Sequence, residues 1–275
     1  MSKGRLKIIH ITDLHFYEFP KNMLSLFNKR ILGCLNWELN RKKRFDFTRV
    51  EQFLKVLNQY KNSAVMISGD LTVTAHEKEF YLAKRFIDNI RMGGFPVYVI
   101  PGNHDYYTFE AVRRRRYETI FKEYCLSDAY PTVIPSSDGT SLVFLHTVRP
   151  NIISSRGEID NEQIQKLKEI VSSLKSPSIV CGHYPILYQT PEYYSSYSRR
   201  LKNADSLRKV LIQTKVPLLY IAGHVHHYSL NRDEVNPLVT YLCSPPLFYS
   251  QQRNGGYCEI TIENNQFHIQ LKNLY

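Results

Sequence analysis

Five short apolar runs, each passing at once into a segment rich in aspartate, asparagine or histidine, constrain the fold of this chain more than any other feature. The runs are residues 6–11, 64–68, 97–100, 179–181 and 218–221. Their lengths and borders read as buried strands. Between them apolar residues recur at helical spacing. Phe53, Val56, Leu57 and Tyr60 do so, as do Phe80, Ile87 and Ile90 with Lys84 as a polar exception, and Ile164, Leu167, Ile170 and Leu174. Strand alternating with helix predicts an α/β fold. Residues 238–243 and 257–262 are also strand-like, and the Gly255-Gly256 pair between them predicts a turn and an antiparallel sheet extension. The chain has 275 residues, 43% of them hydrophobic, which suits one large domain and argues against global disorder. A single domain over residues 1–275 is the expected organisation, with a basic amphipathic insert at about 20–44.

The segments that follow the runs are Asp13-x-His15, Gly69-Asp70, Gly102-Asn103-His104-Asp105, Gly182-His183 and Gly223-His224-x-His226. In an open α/β sheet, loops at the carboxyl ends of the strands converge on one crevice. Asp13, His15, Asp70, Asn103, His104, His183, His224 and His226 are therefore expected to meet in space. Residues i and i+2 of an extended segment project to the same side, so each x-spaced pair presents two ligands together. The glycines are expected to let the backbone turn tightly from strand to loop. Carboxylate, amide and imidazole donors without cysteine suit manganese, iron, zinc or cobalt rather than calcium. Asp13, His15, Asp70, Asn103, His183, His224 and His226 make seven candidate ligands, too many for one tetrahedral ion and suited to two ions sharing a carboxylate. The other five histidines read as structural or surface residues. Five cysteines with no CxxC pair indicate a reduced, cytoplasmic protein.

The formal charge is +11, and residues 1–50 contribute eleven Lys or Arg against four acids, a local excess of +7. Further basic clusters lie at residues 113–116 and at Arg199, Arg200 and Lys202. Such clustering predicts an anionic partner: a phosphorylated small molecule or lipid, or an anionic membrane surface, with nucleic acid the weaker choice. In the insert, Leu24, Phe27, Ile31 and Leu35 share one helical face, away from Asn22, Lys29 and Arg30. Arg41, Lys42, Lys43 and Arg44 follow. The insert reads either as a lid packed on the domain or as a helix lying on a membrane. No run of 18 uncharged apolar residues is present, and the first residues lack the apolar core of a leader. The expected location is the cytoplasm, peripheral to the inner face of a membrane if the insert is an anchor.

In order and spacing, the five segments resemble the D-x-H, GD, GNH[DE], H and GHxH pattern of the calcineurin-like metallophosphoesterase family, over residues 13–226. The resemblance implies a four-layer α/β/β/α sandwich and a phosphoesterase dependent on two divalent ions, manganese first, with iron, zinc or cobalt as alternatives. It implies one ion on Asp13, His15, Asp70 and His226, a second on Asp70, Asn103, His183 and His224, and Asp70 bridging them. A metal-bridging hydroxide would attack phosphorus in line, with Asn103 helping to stabilise the equatorial oxygens. His104 would protonate the leaving oxygen and Asp105 would orient His104. Two substrate classes follow from the resemblance. One is a phosphodiester such as a nucleotide or cyclic nucleotide. The other is the pyrophosphate of UDP-2,3-diacylglucosamine at a membrane surface, a branch that resembles GNRD where this chain has His104. The basic insert and the Tyr-rich residues 188–197 suit a lipid or nucleotide. No ligand position is missing, which argues against a non-enzymatic scaffold.

Overall fold

The computed structural model describes residues 6–20, 29–126, 129–136, 138–152 and 154–274. Among the described residues thirteen strands run in chain order: β1 (Lys7–Ile11), β2 (Ser63–Ile67), β3 (Val97–Val99), β4 (Thr132–Pro135), β5 (Ser141–Phe144), β6 (Gly157–Glu158), β7 (Ser178–Cys181), β8 (Leu201–Lys202), β9 (Leu218–Ala222), β10 (Ser229–Arg232), β11 (Val239–Cys243), β12 (Gly256–Glu263) and β13 (Gln266–Asn273). The α-helices are α1 (Arg30–Asn36), α2 (Val50–Leu57), α3 (Glu77–Met92), α4 (Phe109–Arg113), α5 (Arg116–Ile120), α6 (Asn161–Ser173) and α7 (Ala204–Leu211).

The strands form two main sheets, ordered β13-β12-β1-β2-β3 and β10-β11-β9-β7-β5-β4, and a small pair, β6-β8. β1, β2 and β3 of the first sheet and β11, β9, β7 and β5 of the second run parallel; antiparallel strands extend the first sheet on one side, through β12 and β13, and the second at both edges, through β10 and β4. Because side chains alternate along a strand, each sheet has two apolar faces to bury. Ile8, Met66, Cys258 and Ile260 of the first sheet meet Phe144, Ile179, Cys181, Leu219, Ile221 and Leu242 of the second in one buried cluster. The alternate residues, such as Ile9, Ile11, Val65 and Ile67, join a second cluster with Phe53 of α2 and Phe80, Phe86 and Ile87 of α3. Val143, Val180 and Tyr220 belong to that cluster as well, with Leu167 of α6 and Leu207 and Leu211 of α7. Helices therefore cover both outward faces, and the sheets pack on each other between them.

Two expectations need correction. The five motif-bearing strands do not share one open sheet: β1, β2 and β3 lie in the first sheet, β7 and β9 in the second. The expected antiparallel extension is built by residues 257–262, while residues 238–243 join the other sheet beside β9. β11 runs parallel to β9, whereas β12 runs antiparallel to β1. The hairpin partner of β12 is β13, joined through Asn264 and Asn265, whose φ values of 49° and 59° suit the two-residue turn that matches strand twist.

The described part of the insert, residues 29–44, turns to the domain a face other than its apolar one. Asn22, Leu24 and Phe27 lie outside the described residues. In α1 and the π-helical turn Trp37–Arg41 that continues it, the buried residues are Arg30, Gly33, Cys34 and Trp37. Ile31 and Leu35, of the apolar face seen in the sequence, are exposed, as are Leu32 and Leu39. The reason is local chemistry on the domain side. The Arg30 guanidinium donates to the carbonyls of Thr74 (3.1 Å) and Ala75 (3.4 Å) and to the Thr108 hydroxyl (3.4 Å), so its burial leaves donors satisfied. At Gly33, a Cβ would stand 2.9 Å from the Tyr107 hydroxyl, so the helix seats there closely. Trp37, 1% exposed, then stacks among Tyr17, Phe45 and Phe47 and lies 6.4 Å from the ring of His15.

Candidate active site

The loops after the strands fasten to one another through their backbones. The Asp13 amide donates to the Gly69 carbonyl (3.0 Å), the His15 amide to Asp70 (2.9 Å) and the Gly223 amide to His183 (3.0 Å). Within this frame Asp13, His15, Asp70, His224 and His226 all take left-handed backbone conformations, with φ between 51° and 68°. Each such non-glycine residue costs on the order of 1–3 kcal/mol and persists only where the surroundings impose it. The strain falls on the residues the motifs single out. The motif glycines serve a different need from the expected turn. Only Gly69 has a positive φ, +100°. At Gly102 a Cβ would stand 2.1 Å from the Asp70 nitrogen, and at Gly223 a Cβ would stand 2.1 Å from Thr12 Oγ1 and 2.3 Å from Asp13 Oδ2. These positions are glycine because neighbouring loops approach too closely for a side chain.

Six of the seven expected ligands come together in two groups that share Asp70, and Asn103 lies against the second of them through His183. Within each group, Asp13, His15, Asp70 and His226, or Asp70, His183 and His224, the ligand atoms all lie within 4.8 Å of one another. Asp13 Oδ2 accepts from the Thr12 hydroxyl (2.9 Å) and the His224 amide (3.0 Å). Its Oδ1 is buried without a hydrogen-bond partner, 3.2 Å from His226 Nε2 and 3.7 Å from His15 Nε2. His15 Nδ1 faces the Thr72 carbonyl and must donate to it, which leaves a lone pair on Nε2. His226 Nδ1 lies 2.6 Å from the Tyr249 hydroxyl, and the two Nε2 atoms stand 3.0 Å apart. An orphaned carboxylate oxygen and converging imidazole nitrogens, each ring steadied through its other nitrogen, fit a divalent cation.

The second group has the same logic. His183 Nδ1 donates to the Ser68 carbonyl (2.8 Å), and its Nε2 lies 3.1 Å from Asn103 Oδ1 and 3.4 Å from Asp70 Oδ1. His224 directs Nε2 to the Arg199 carbonyl (2.9 Å), which leaves Nδ1 for a ligand. Burial pushes His15 and His224 well below the usual histidine range, into the neutral form that binds metal. Burial lowers His183 too, but the Asp70 and Asp13 charges and the Ser68 carbonyl outweigh it and push it up to about 9. The centre attracts positive charge.

His104 lies beside these groups, with its ring 4.8 Å from that of His15. Its Nδ1 faces the Val73 carbonyl at 2.5 Å, so Nε2 is the acceptor nitrogen, and it meets Arg41 Nη1 at 3.3 Å. Burial, aided by Arg41 and opposed by Asp70, pushes His104 down to about 4. The Asp105 carboxylate makes its hydrogen bonds elsewhere than to the His104 ring. It accepts from the amides of Leu71 (3.2 Å), Thr72 (3.0 Å) and Gly102 (2.8 Å) and from the Thr72 hydroxyl (3.0 Å). Asp105 therefore ties the Asn103 loop to the Asp70 loop, and Val73 does the orienting expected of it.

A family profile described as calcineurin-like phosphoesterase matches residues 6–228. The chain belongs to the calcineurin-like phosphoesterase family. Among solved structures, it resembles a dimetal phosphatase from Danio rerio at TM-score 0.68 and 12% identity, covering 98% of this chain and 96% of that one. It also resembles a purple acid phosphatase from yellow lupin seeds (Lupinus luteus), at TM-score 0.58 and 12% identity, covering 99% of this chain and 52% of that one. A 5′-nucleotidase from Candida albicans matches at TM-score 0.50 and 12% identity, covering 100% of this chain and 53% of that one. No curated protein matches the chain. At these identities the structural likeness speaks to the fold. Calcineurin-like phosphoesterases use two divalent ions, and two ligand groups joined at Asp70 match that count.

Several residues of the calcineurin-like centre carried no mark in the sequence. Tyr249 steadies His226, Thr12 steadies Asp13, and the carbonyls of Ser68, Thr72, Val73 and Arg199 orient four histidines. A carbonyl belongs to every residue type, so no motif announces it. Arg41 was visible only as one member of a basic run.

Proposed function

We propose that this calcineurin-like phosphoesterase hydrolyses a phosphodiester, such as a nucleotide or cyclic nucleotide, at a two-ion centre held by Asp13, His15, Asp70, Asn103, His183, His224 and His226. The sharing of Asp70 between two compact ligand groups carries the reading. When bound, the ions supply a nucleophile at neutral pH and positive charge against the phosphoryl oxygens. The chain supplies the rest. Asn103 directs Oδ1 toward the centre, which leaves its amide N–H groups for an equatorial oxygen. His104, held at Nδ1 by Val73, presents Nε2 to the leaving side; a bound phosphoryl anion, with Arg41 turned to it, would offset the burial that holds His104 at about 4, so that Nε2 takes up a proton and passes it to the leaving oxygen. Manganese is the ion of first choice, with iron, zinc and cobalt as alternatives.

The test uses manganese-loaded protein and bis(4-nitrophenyl) phosphate. The wild type is expected to hydrolyse it, and a rate no faster than that of Asp70→Ala refutes the reading. His104→Ala is expected to keep both ions and lose roughly 10²–10⁴ in rate on poor leaving groups. Loss of metal from that variant removes the proton-donor role.

One observation favours a second reading, a pyrophosphatase acting on a nucleotide-linked lipid at an anionic membrane. The insert turns Leu32 (64% exposed) and Leu39 (75% exposed) outward, with Ile31 and Leu35 exposed beside them, and Lys42, Lys43 and Arg44 follow directly. Apolar side chains bordered by cations suit an interfacial helix. Among the described residues no helix is long and apolar enough to cross a membrane. Leu32→Glu with Leu39→Glu is expected to abolish binding to phosphatidylserine vesicles, and unchanged binding removes this reading.

A further inference from the structure

A cavity of about 570 Å³ is lined by Pro101 and Tyr106, the two residues that bracket the Gly102–Asp105 segment. Its wall is aromatic and acidic. Tyr106, Tyr117 and Tyr130 contribute rings, and Glu118, Asp160 and Glu162 contribute carboxylates. Arg115 and Lys166 line it as well, and Lys166 is paired with Glu162 at 2.6 Å. Among the described residues no Lys, Arg or His lies within ion-pair distance of Glu118 or Asp160. Glu118 Oε1 accepts from the Tyr106 hydroxyl, and Oε2 meets no donor among the described residues. Asp160 caps α6 through the Gln163 amide at 2.7 Å and stays exposed at the edge of the cavity.

His146 narrows what such a cavity can hold. It follows β5 at the same end of the sheet as the ligands that follow β7 and β9. The Gln163 side chain fixes its backbone, accepting from the His146 amide (3.0 Å) and donating to the His146 carbonyl (3.0 Å). Its ring lines the cavity, with the centres of the Tyr106 and Tyr130 rings 5.3 Å and 5.4 Å away. Among the described residues neither ring nitrogen has a hydrogen-bond partner. Burial pushes His146 below the usual histidine range, against the pull of Glu118 and Asp160, so one nitrogen is a free acceptor.

A neutral acceptor, an unpaired carboxylate and the negative faces of tyrosine rings all attract N–H groups that carry positive charge. An anion would meet Glu118. An apolar guest would strip water from the carboxylate and the imidazole without replacing it. A metal ion is a poor fit too, because the compact ligand groups among the described residues are the two at Asp70. We propose that this cavity binds a small organic cation with N–H donors, a primary ammonium or a guanidinium. A quaternary ammonium would suit the rings but leave the imidazole and Glu118 Oε2 unmet. The volume is that of an ordinary small-molecule site. The inference stands apart from the phosphoesterase reading, since neither carboxylate nor His146 belongs to the metal-binding groups.

The test is calorimetry on the manganese-loaded protein with agmatine and putrescine, and with tetramethylammonium and glutarate as controls. Both amines are expected to bind with a Kd of about 1 mM or tighter, and the controls at least tenfold more weakly. Glu118→Gln keeps an acceptor for Tyr106 and removes the charge, and is expected to weaken agmatine binding at least tenfold. His146→Phe keeps the ring packing and is expected to weaken it about fivefold. Glu123→Gln, at a carboxylate outside the cavity that pairs with Arg91, is expected to change nothing. Equal binding of tetramethylammonium, preference for glutarate, or unchanged agmatine binding in Glu118→Gln overturns the proposal. So does the absence of amine binding at about 10 mM. A measurement on the wild type needs no variant to fold. The His146 ring proton resonances of the zinc-loaded protein are expected to shift as agmatine is added, and resonances that stay in place overturn the assignment.

Discussion

Replacing Gly102 with alanine tests whether the glycines of this site exist for close approach. The new Cβ would stand 2.1 Å from the Asp70 nitrogen and 2.2 Å from Asp70 Oδ1, where ordinary contact begins near 3.4 Å. One of the two loops must retreat by more than an ångström. Neither can do so cheaply, because Asp70 Oδ1 accepts from the His104 amide at 2.7 Å and the Gly102 amide donates to Asp105 at 2.8 Å. Overpacking of this kind costs about 1–3 kcal/mol in stability. The effect on metal binding is larger, since ligand positions tolerate errors of only about 0.2 Å. Asp70 belongs to both ligand groups, so both ions are expected to weaken together, by roughly 10–100-fold or more. Gly223→Ala presses instead on Thr12 and Asp13, and Asp13 belongs to one group only. That variant is expected to weaken one ion and spare the other. Calorimetric titration with Mn²⁺, with metal content measured after gel filtration, reads both variants. Two ions of wild-type affinity in Gly102→Ala refute the close-approach argument. Loss of both ions in Gly223→Ala refutes the division of the ligands into two groups.

Other expectations follow from the same structure. Burial pushes the Asp233 carboxyl up, but Arg208, Tyr241 and the amides of Val235 and Asn236 outweigh it and hold it at about 2. Its folded value lies below its unfolded value, so it stabilises the protein above pH 4 and that contribution is lost as pH falls toward 2. Asp233→Asn is expected to lose about 2 kcal/mol at pH 7 in urea unfolding, with the deficit vanishing near pH 2. His10 is buried between Ser68 Oγ (2.9 Å) and Ser244 Oγ (2.7 Å), and burial pushes it down to about 3. The unfolded chain binds the proton that folded His10 refuses, so stability is expected to fall as pH drops from 6.5 toward 3. Proton uptake on unfolding at pH 5, reduced in His10→Gln, checks this. Trp37→Ala empties a site that is 1% exposed and is expected to cost about 3–5 kcal/mol in chemical denaturation. A loss under 1 kcal/mol shows that the insert is not seated by its tryptophan.

The ligand set was legible because each of its residues follows a strand-like run directly, and the runs became β1, β2, β3 or its extension to Ile100, β7 and β9. Strand identity is written in local apolar pattern. Strand partnership is not, which is why the division over two sheets, and the separation of β11 from β12, had to come from the structure. The insert shows a second limit. Helical spacing marked an apolar face, but the choice of face depended on distant carbonyls at Thr74 and Ala75 that accommodate Arg30 and leave Leu35 outside. Asp105 shows a third. A carboxylate beside a histidine invites a pairing, yet three amides and a hydroxyl compete for it and prevail.

The division of the ligands between the sheets has a mechanical consequence. Asp13, His15, Asp70 and Asn103 follow strands of the first sheet, and His183, His224 and His226 follow strands of the second. Each ion held there ties the rim of one sheet to the rim of the other, as a crosslink would. Ligand present at a hundred times its dissociation constant stabilises a folded state by about 2.7 kcal/mol. Here that energy acts across the seam where Met66 shares one buried cluster with Ile179 and Phe144. Chelation should therefore loosen the seam from its metal-facing end inward. Faster amide exchange after chelation at the carboxyl ends of β2 and β9, with the helices unchanged, would show the ions holding the protein's two halves in register.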